Sequence, residues 1–263
     1  MLKAGIFLDV ENLVRCGGWG IRYRMVKEFV QSQGCIVLRA NAYMAIDEER
    51  EERDADYRRK KHDYRLAVRR AGFHLVLKKV QRYQAADGEV VMKANADLDL
   101  AVDALLQTEN LDYVLLGTGD GDFIRLVLAL QSTGKRVDLL SFSNTSSELR
   151  RTVDFHFSGY LVPGLLPSKE GTRLRGQLHA VNEEKGYGFL TVRTGMSVDD
   201  LRDDVFLHIN DFQGPGGRPV DNNTFALLKT RETILEFELV TQPDGKARAV
   251  KAAEFVEPLG QER

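Results

Sequence analysis

The stretch Gly117-Thr118-Gly119-Asp120-Gly121-Asp122-Phe123 constrains the fold more than any other part of the chain. It follows the apolar run Tyr113-Val114-Leu115-Leu116, which reads as a buried parallel strand. It precedes Ile124 to Leu130, whose apolar residues recur at helical spacing. Two aspartates therefore stand at the carboxyl end of a strand, in a glycine-rich turn that opens a helix. In open α/β sheets that edge is where ligands bind. The glycines permit a tight turn and leave both carboxylates uncrowded. Carboxylates gathered there call for a divalent cation or a proton. The plainer reading of either aspartate is a helix cap, since Asp at a helix start is common and stabilising.

The same arrangement opens the chain. Ala4 to Leu8 is a short buried-type strand, and it runs into Asp9-Val10-Glu11-Asn12-Leu13, again acidic and amide groups at a strand's carboxyl end. Arg15 to Gly20 is a glycine-rich loop. The spacing of Tyr23, Val26, Phe29 and Val30 predicts an amphipathic helix to Gln33, closed by Gly34. Cys35 to Ile46 is a second strand, and the charge-dense Asp47 to Arg70 one solvated helix. Its second half, Arg58 to Lys61 with Arg65, Arg69 and Arg70, is the densest basic cluster, with phosphate contact as a minority reading. Phe73 to Val80 is a third strand, and Ala86-Asp87-Gly88-Glu89 has the composition of a hairpin turn. Lys93 to Leu106 reads as a helix in which Asp97 faces the small apolar side with Ala101 and Ala104, while Asp99 and Asp103 share the other side. An acid facing small apolar residues is unusual for a merely solvated charge. Arg136 to Phe142 is a further strand, Ser143 to Glu148 a polar loop capping a short helix, and Phe155 to Tyr160 an edge strand. Alternating strands and helices over some 155 residues predict a doubly wound, mostly parallel α/β sheet with helices on both faces.

Beyond Pro163 to Gly171, a stretch with two prolines and no periodicity, the pattern changes to short strands. Five are read, at Arg173–Val181, Tyr187–Arg193, Asp204–Ile209, Thr233–Thr241 and Ala247–Phe255. Five strands in so short a segment predict a small all-β barrel. The 263 residues thus divide into a domain at 1–162, a linker at 163–171 and a barrel at 172–257. Residues 169–263 carry 13 basic and 16 acidic side chains and the rest 24 and 23, so neither half is a basic tail that bulk charge would direct to nucleic acid. Cys16 and Cys35 form neither a metal-ligand pattern nor a disulfide framework. With no signal peptide at the start and no membrane-length apolar run, the expectation is a cytoplasmic protein without a membrane partner; a homo-oligomer is left open.

Three segments, Asp9-Val10-Glu11-Asn12, Asp97-Leu98-Asp99-Leu100-Ala101-Val102-Asp103 and Gly119-Asp120-Gly121-Asp122-Phe123, together resemble the NYN domain, a branch of the PIN-like nuclease superfamily, in its LabA-like subgroup. The resemblance covers roughly residues 4–160 and implies a PIN-like fold. It also implies Mg²⁺ or Mn²⁺ held for RNA phosphodiester cleavage by Asp9, Asp97, Asp120 and Asp122, with Asn12 as an adjacent polar group, and an endonuclease rather than an exonuclease. A glycine often precedes the helix acid in that family; here Asn95-Ala96 stands in its place. The chemistry is independent of the resemblance: four carboxylates from three segments repel one another, and a cation resolves the conflict. The histidines, at 62, 74, 156, 179 and 208, stand in unrelated contexts and offer no competing catalytic set.

The C-terminal part, about 172–256, looks like a cold-shock domain, an OB-type barrel. Asn182 to Leu190 matches its first RNA-binding motif and Val205 to Ile209 its second. The resemblance implies single-stranded RNA on an outer face of Tyr187, Phe189, Phe206 and His208, with Lys185 beside them. Ala180 and Val181 replace aromatics of the family's first strand, and Ser197 to Asp204 reads as an acidic insert between the motifs. The leading expectation is a metal-dependent ribonuclease whose barrel delivers single-stranded RNA. The alternatives are a catalytically silent RNA-binding or regulatory protein and a small-molecule phosphatase-like hydrolase.

Overall fold

The structure, a computed structural model, describes residues 1–84, 90–93, 96–167 and 173–256. The chain forms two compact units, Met1–Ser158 and Gly159–Arg263.

In the first unit, β1 (Leu2–Asp9) leads into the short α1 (Val10–Arg15), then α2 (Tyr23–Ser32) and β2 (Cys35–Ile46). Next come α3 (Glu48–Arg53), α4 (Ala55–Arg70) and β3 (His74–Lys79). A separate antiparallel pair, β4 (Gln81–Gln84) and β5 (Val90–Lys93), follows; the turn expected at Ala86–Glu89 lies outside the described residues. The unit closes with α5 (Asp97–Gln107), β6 (Tyr113–Gly117), α6 (Ile124–Ser132), β7 (Arg136–Ser141), α7 (Ser147–Thr152) and β8 (Phe155–Ser158). The six main strands are all parallel, in the order β3-β2-β1-β6-β7-β8. Winding runs outward from β1 to β3, then returns to β6 on the other side of β1. The reversal point of a doubly wound sheet is therefore the gap between the carboxyl ends of β1 and β6, where such sheets open a crevice. One face carries α5, α6 and α7: Leu100 and Ala104, Val127 and Leu130, and Leu149 share a core with Phe7, Val114 and Leu116.

The charged segment 47–70 is two helices, not one. Asp54 ends α3 in extended backbone and accepts the Tyr57 N–H as the cap of α4, which sequence periodicity does not register. Its basic cluster is also less uniform than expected: Arg65 is buried against Glu51 and Arg59 pairs with Asp56.

The second unit contains β9 (Leu174–Asn182), β10 (Tyr187–Arg193), β11 (Leu201–His208), the two-residue β12 (Phe212–Gln213), α8 (Asn222–Thr230), β13 (Ile234–Thr241) and β14 (Ala247–Glu254). Five strands close into a mixed barrel in the order β11-β10-β9-β13-β14, sealed by a parallel pairing of β14 with β11 at Phe206 and Arg248. Leu178, Leu190, Val205, Leu207, Leu235 and Phe237 fill it. The sequence reading has no helix here; α8 starts on the Asp221 cap and buries Phe225 and Leu228 in the barrel core. The acidic segment 197–204 is not a simple insert. Ser197 and Asp200 form a reciprocal cap on a short turn, and β11 begins at Leu201. Of the stretch read as a linker, residues 168–171 lie outside the described residues. Leu165 and Leu166 before them are buried, and Arg175 donates to the Pro167 carbonyl at 2.7 Å.

Candidate functional site

Asp9 is the last residue of β1 and the cap of α1, and only 7 % of it is exposed. Its Oδ1 accepts the Asn12 N–H at 3.1 Å and its Oδ2 accepts the Thr118 hydroxyl at 3.2 Å. The pairing of Leu8 with Gly117 sets the strand ends side by side. Gly117 permits this: a Cβ there would stand 2.4 Å from Leu8 Cδ2. Past the strand, Thr118 is fully buried, and its Oγ1 also accepts the Asp120 N–H at 3.2 Å, so one hydroxyl links both carboxylate-bearing segments. Asn12 completes the tie, its Oδ1 accepting the Gly119 N–H at 2.7 Å.

Asp120 is half-buried and caps the short turn Gly121–Phe123, its Oδ1 accepting the Asp122 N–H at 3.0 Å. The capping duty the sequence allows for Asp122 thus belongs to Asp120, which lies in extended backbone directly ahead of the turn; Asp122 is exposed. Asp97 is the half-buried first residue of α5; Asn95 lies outside the described residues.

Electrostatics bring these groups together. Burial pushes the Asp9 carboxyl up from 3.8 to about 6, and the charges of Asp97 and Asp120 push the same way against the Asn12 and Thr118 hydrogen bonds. Asp97 is also raised, first by burial, then by Asp120 and Asp122, while Arg15 opposes. Asp9 thus feels the charges of Asp97 and Asp120, and Asp97 those of Asp120 and Asp122, while Asn12 and Thr118 tie the Asp9 and Asp120 segments together at the β1/β6 reversal. Asp99 and Asp103 point elsewhere: Asp99 pairs with Lys78 at 2.9 Å and Asp103 accepts the Tyr43 hydroxyl at 2.9 Å. Thr118 and Arg15 escape the sequence reading. A hydroxyl at the end of a wholly apolar strand, one residue before a Gly-Asp, is the signal that marks Thr118.

In the barrel, Tyr187 lies opposite His208 and Phe189 opposite Phe206 across β10 and β11. Gly188, Leu190, Val205 and Leu207 point inward, which leaves Tyr187, Phe189, Phe206 and His208 half-exposed outside. Phe206 is the central ring, 5.5 Å from Tyr187, 5.9 Å from Phe189 and 6.5 Å from His208. Lys185 is exposed in the β9–β10 turn, its backbone N–H held by Asn182. Ala180 sits beside Phe189 and adds no ring.

An open parallel sheet with carboxylates near its reversal point is a layout in which ligands bind at the strands' carboxyl ends. The NYN domain model matches residues 3–161, and the chain belongs to that family, a branch of the PIN-like nucleases. No curated protein matches the chain. Among solved structures, a Vibrio parahaemolyticus protein of unknown function is similar at 28% identity, over 60% of this chain and 92% of that one, with a TM-score of 0.47. Among the described residues, no helix is long and apolar enough to cross a membrane.

Proposed function

We propose that this protein is a metal-dependent ribonuclease that cuts single-stranded RNA internally, with the barrel holding the strand. The observation that carries this reading is the placing of buried Asp9 at the end of β1 and Asp120 just past the end of the adjacent β6, the two segments tied by Thr118 and Asn12. The donors are all oxygen, which suits Mg²⁺ or Mn²⁺. Among the described residues, no three His, Cys, Asp or Glu side chains stand close enough together to hold a metal ion between them. Mg²⁺ is usually held by one or two protein carboxylates and keeps several waters, which a sparser set of acids can still provide. Asp9, Asp97 and Asp120 would hold the ion and Asp122 would reach it through water. When bound, the ion supplies charge neutralisation at the phosphodiester and an activated water nucleophile. Asn12 and Thr118 keep the Asp9 and Asp120 segments in register through their hydrogen bonds.

The barrel's strand order and its cluster of outward rings support an OB-type, cold-shock-like module, on whose face bases stack. The test is labelled single-stranded RNA with the full chain in Mn²⁺, in Mg²⁺ and in chelator. Cleavage at internal positions that disappears with chelator and with Asp120→Asn supports the proposal; cleavage unchanged in Asp120→Asn removes the site. The lack, among the described residues, of three such side chains grouped to hold a metal favours one other reading, a silent RNA binder, which retains RNA on a filter and never shortens it.

A further inference from the structure

The chain's only tryptophan, Trp19, is 45 % exposed. It makes no ring contact and no hydrogen bond among the described residues. A single exposed ring is ordinary on a protein surface, and what sets this one apart is the loop that holds it. Its loop is not a loose tip that happens to carry it. Gly18 N–H donates to Leu13 O at 2.8 Å, and Ile21 N–H donates back to Gly18 O at 3.2 Å. Gly17 and Gly20 take positive φ on either side of Gly18 and Trp19. Gly18 has no room for a side chain, because a Cβ would lie 2.7 Å from Leu13 O and 2.8 Å from Phe142 Cε2. Ile21, two residues after the ring, is buried. The backbone is fixed and the ring alone projects.

The loop also abuts the acidic site. Cys16 O accepts both the N–H and the hydroxyl of Ser143, at 2.9 and 2.6 Å. The same segment then packs on the Asp120 turn. Ser146 N–H donates to Gly119 O at 2.9 Å, and Thr145 Cα lies 3.3 Å from where a Gly119 Cβ would stand. At the loop's two ends stand Arg15 and Arg22, both exposed and neither in an ion pair among the described residues. Arg15 is near enough to Asp97 to oppose the upward push on its carboxyl. An exposed ring on a fixed loop, between two guanidinium groups with no ion pair among the described residues and linked through Ser143–Ser146 to the Asp120 turn, matches the needs of an unpaired nucleobase with its phosphates. The ring stacks the base and the cations meet the backbone. An acidic or apolar protein partner would use the cations or the ring, and would have no need of the acids next door.

We propose that Trp19 stacks one unpaired base of the RNA next to the acidic site, with Arg15 and Arg22 on the adjoining phosphates. This rests on the ribonuclease reading above and gives the nuclease unit a base contact of its own, separate from the barrel.

Because Trp19 is the only tryptophan, its emission reports this contact alone. The full chain is titrated in chelator with a labelled single-stranded oligoribonucleotide, following tryptophan emission and label anisotropy together. Quenching that saturates with binding is expected. Trp19→Ala should weaken binding about ten-fold, the scale of one stacked base. In Mn²⁺ it should raise KM for cleavage with little change in kcat, and Trp19→Phe should recover most of the loss. Saturating anisotropy with unchanged emission overturns the proposal. So does a Trp19→Ala chain that binds and cleaves like wild type, or emission that shifts with protein concentration in the absence of RNA and not on adding it. Quenching in a chain that never cleaves refutes the nuclease reading and leaves the stacking contact standing.

Discussion

Replacing Asp9 by Asn separates folding from metal chemistry at the acidic site. The folded carboxyl titrates near 6 against an ordinary 3.8. At about 1.4 kcal/mol per pH unit, the gap corresponds to about 3 kcal/mol. Because the folded value is the higher one, Asp9 contributes stability fully below pH 3.8, and that contribution is lost as pH rises through 6. At pH 8 without metal, the native state therefore carries a cost of about 3 kcal/mol that the neutral amide escapes. The amide keeps its oxygen for the Asn12 N–H, so the α1 cap survives. On the other side, the amide N–H must donate to Thr118 Oγ1, whose own hydrogen then loses its acceptor, an offset of about 1–2 kcal/mol. Asp9→Asn should thus raise stability by about 1–2 kcal/mol at pH 8 in chelator. At pH 4 it should be neutral to destabilising. Urea unfolding followed by tryptophan emission reads this from the first unit alone, since Trp19 is the only fluorophore of its kind. Adding Mn²⁺ should then reverse the order at pH 8, because only wild type gains the binding free energy in full. Equal destabilisation by Asp9→Asn at both pH values would refute the reasoning that burial strains this carboxylate. Equal stabilisation of both proteins by Mn²⁺ would remove Asp9 from the metal set.

Asp97→Asn should lower single-turnover cleavage by about 100-fold or more while leaving the circular dichroism unchanged, since a transition-state contact of several kcal/mol is lost. Phe206→Ala takes the central ring from the barrel face and should weaken single-stranded RNA binding by roughly 10- to 100-fold, measured by anisotropy with the cleavage site disabled by Asp120→Asn. His156 accepts or donates to the buried Ser141 hydroxyl at 2.8 Å, and burial, helped by Arg150, lowers it from 6.5 to about 4. A lowered histidine stabilises the fold above pH 6.5 and ceases to do so as pH falls through 4. The His156 contribution to wild type should fall by up to about 3 kcal/mol over that interval, and His156→Gln, which keeps a group for Ser141, should be spared that part; equal acid sensitivity of the two proteins in urea titrations at pH 7 and pH 4.5 would count against it.

The parallel sheet was legible because buried strands such as Cys35–Ile46 and Tyr113–Gly117 are apolar runs bounded by glycine or by a change of period, and those bounds survive tertiary packing. The α3/α4 break was not legible. Glu48 to Arg70 is rich in helix formers throughout, and the break lies in the dihedral angles of one residue, Asp54. Helix α8 was hidden for the opposite reason. Asn222-Asn223-Thr224 are weak formers, and the helix is held by what Phe225 and Leu228 bury in the barrel. At the site, the acids could be read as strand-end residues, but the division of duties between Asp120 and Asp122 depends on a single hydrogen bond. Thr118 and Arg15 gain their meaning only from what lies across the β1/β6 gap.

Two acids of the proposed metal set also serve the backbone. Asp9 caps α1, and Asp120 caps the turn that starts α6. A carboxylate used as a cap is aimed along its own backbone and fixed there. Asp9 at the end of β1 and Asp120 just past β6 therefore hold like charges near enough for Asp120 to push the Asp9 carboxyl up. The fold holds that repulsion through Thr118 and Asn12, whose hydrogen bonds link the two capping segments at 2.7 to 3.2 Å. The site is thus set by local rules of chain direction and capping before any ion arrives. On the proposed reading a cation would relieve repulsion that already exists, in place of assembling its ligands. The same logic explains why loss of activity in an Asp9 or Asp120 variant is ambiguous alone. A cap and a ligand are lost together, and only a variant that keeps the cap while removing the charge, with stability and metal response both measured, separates the two.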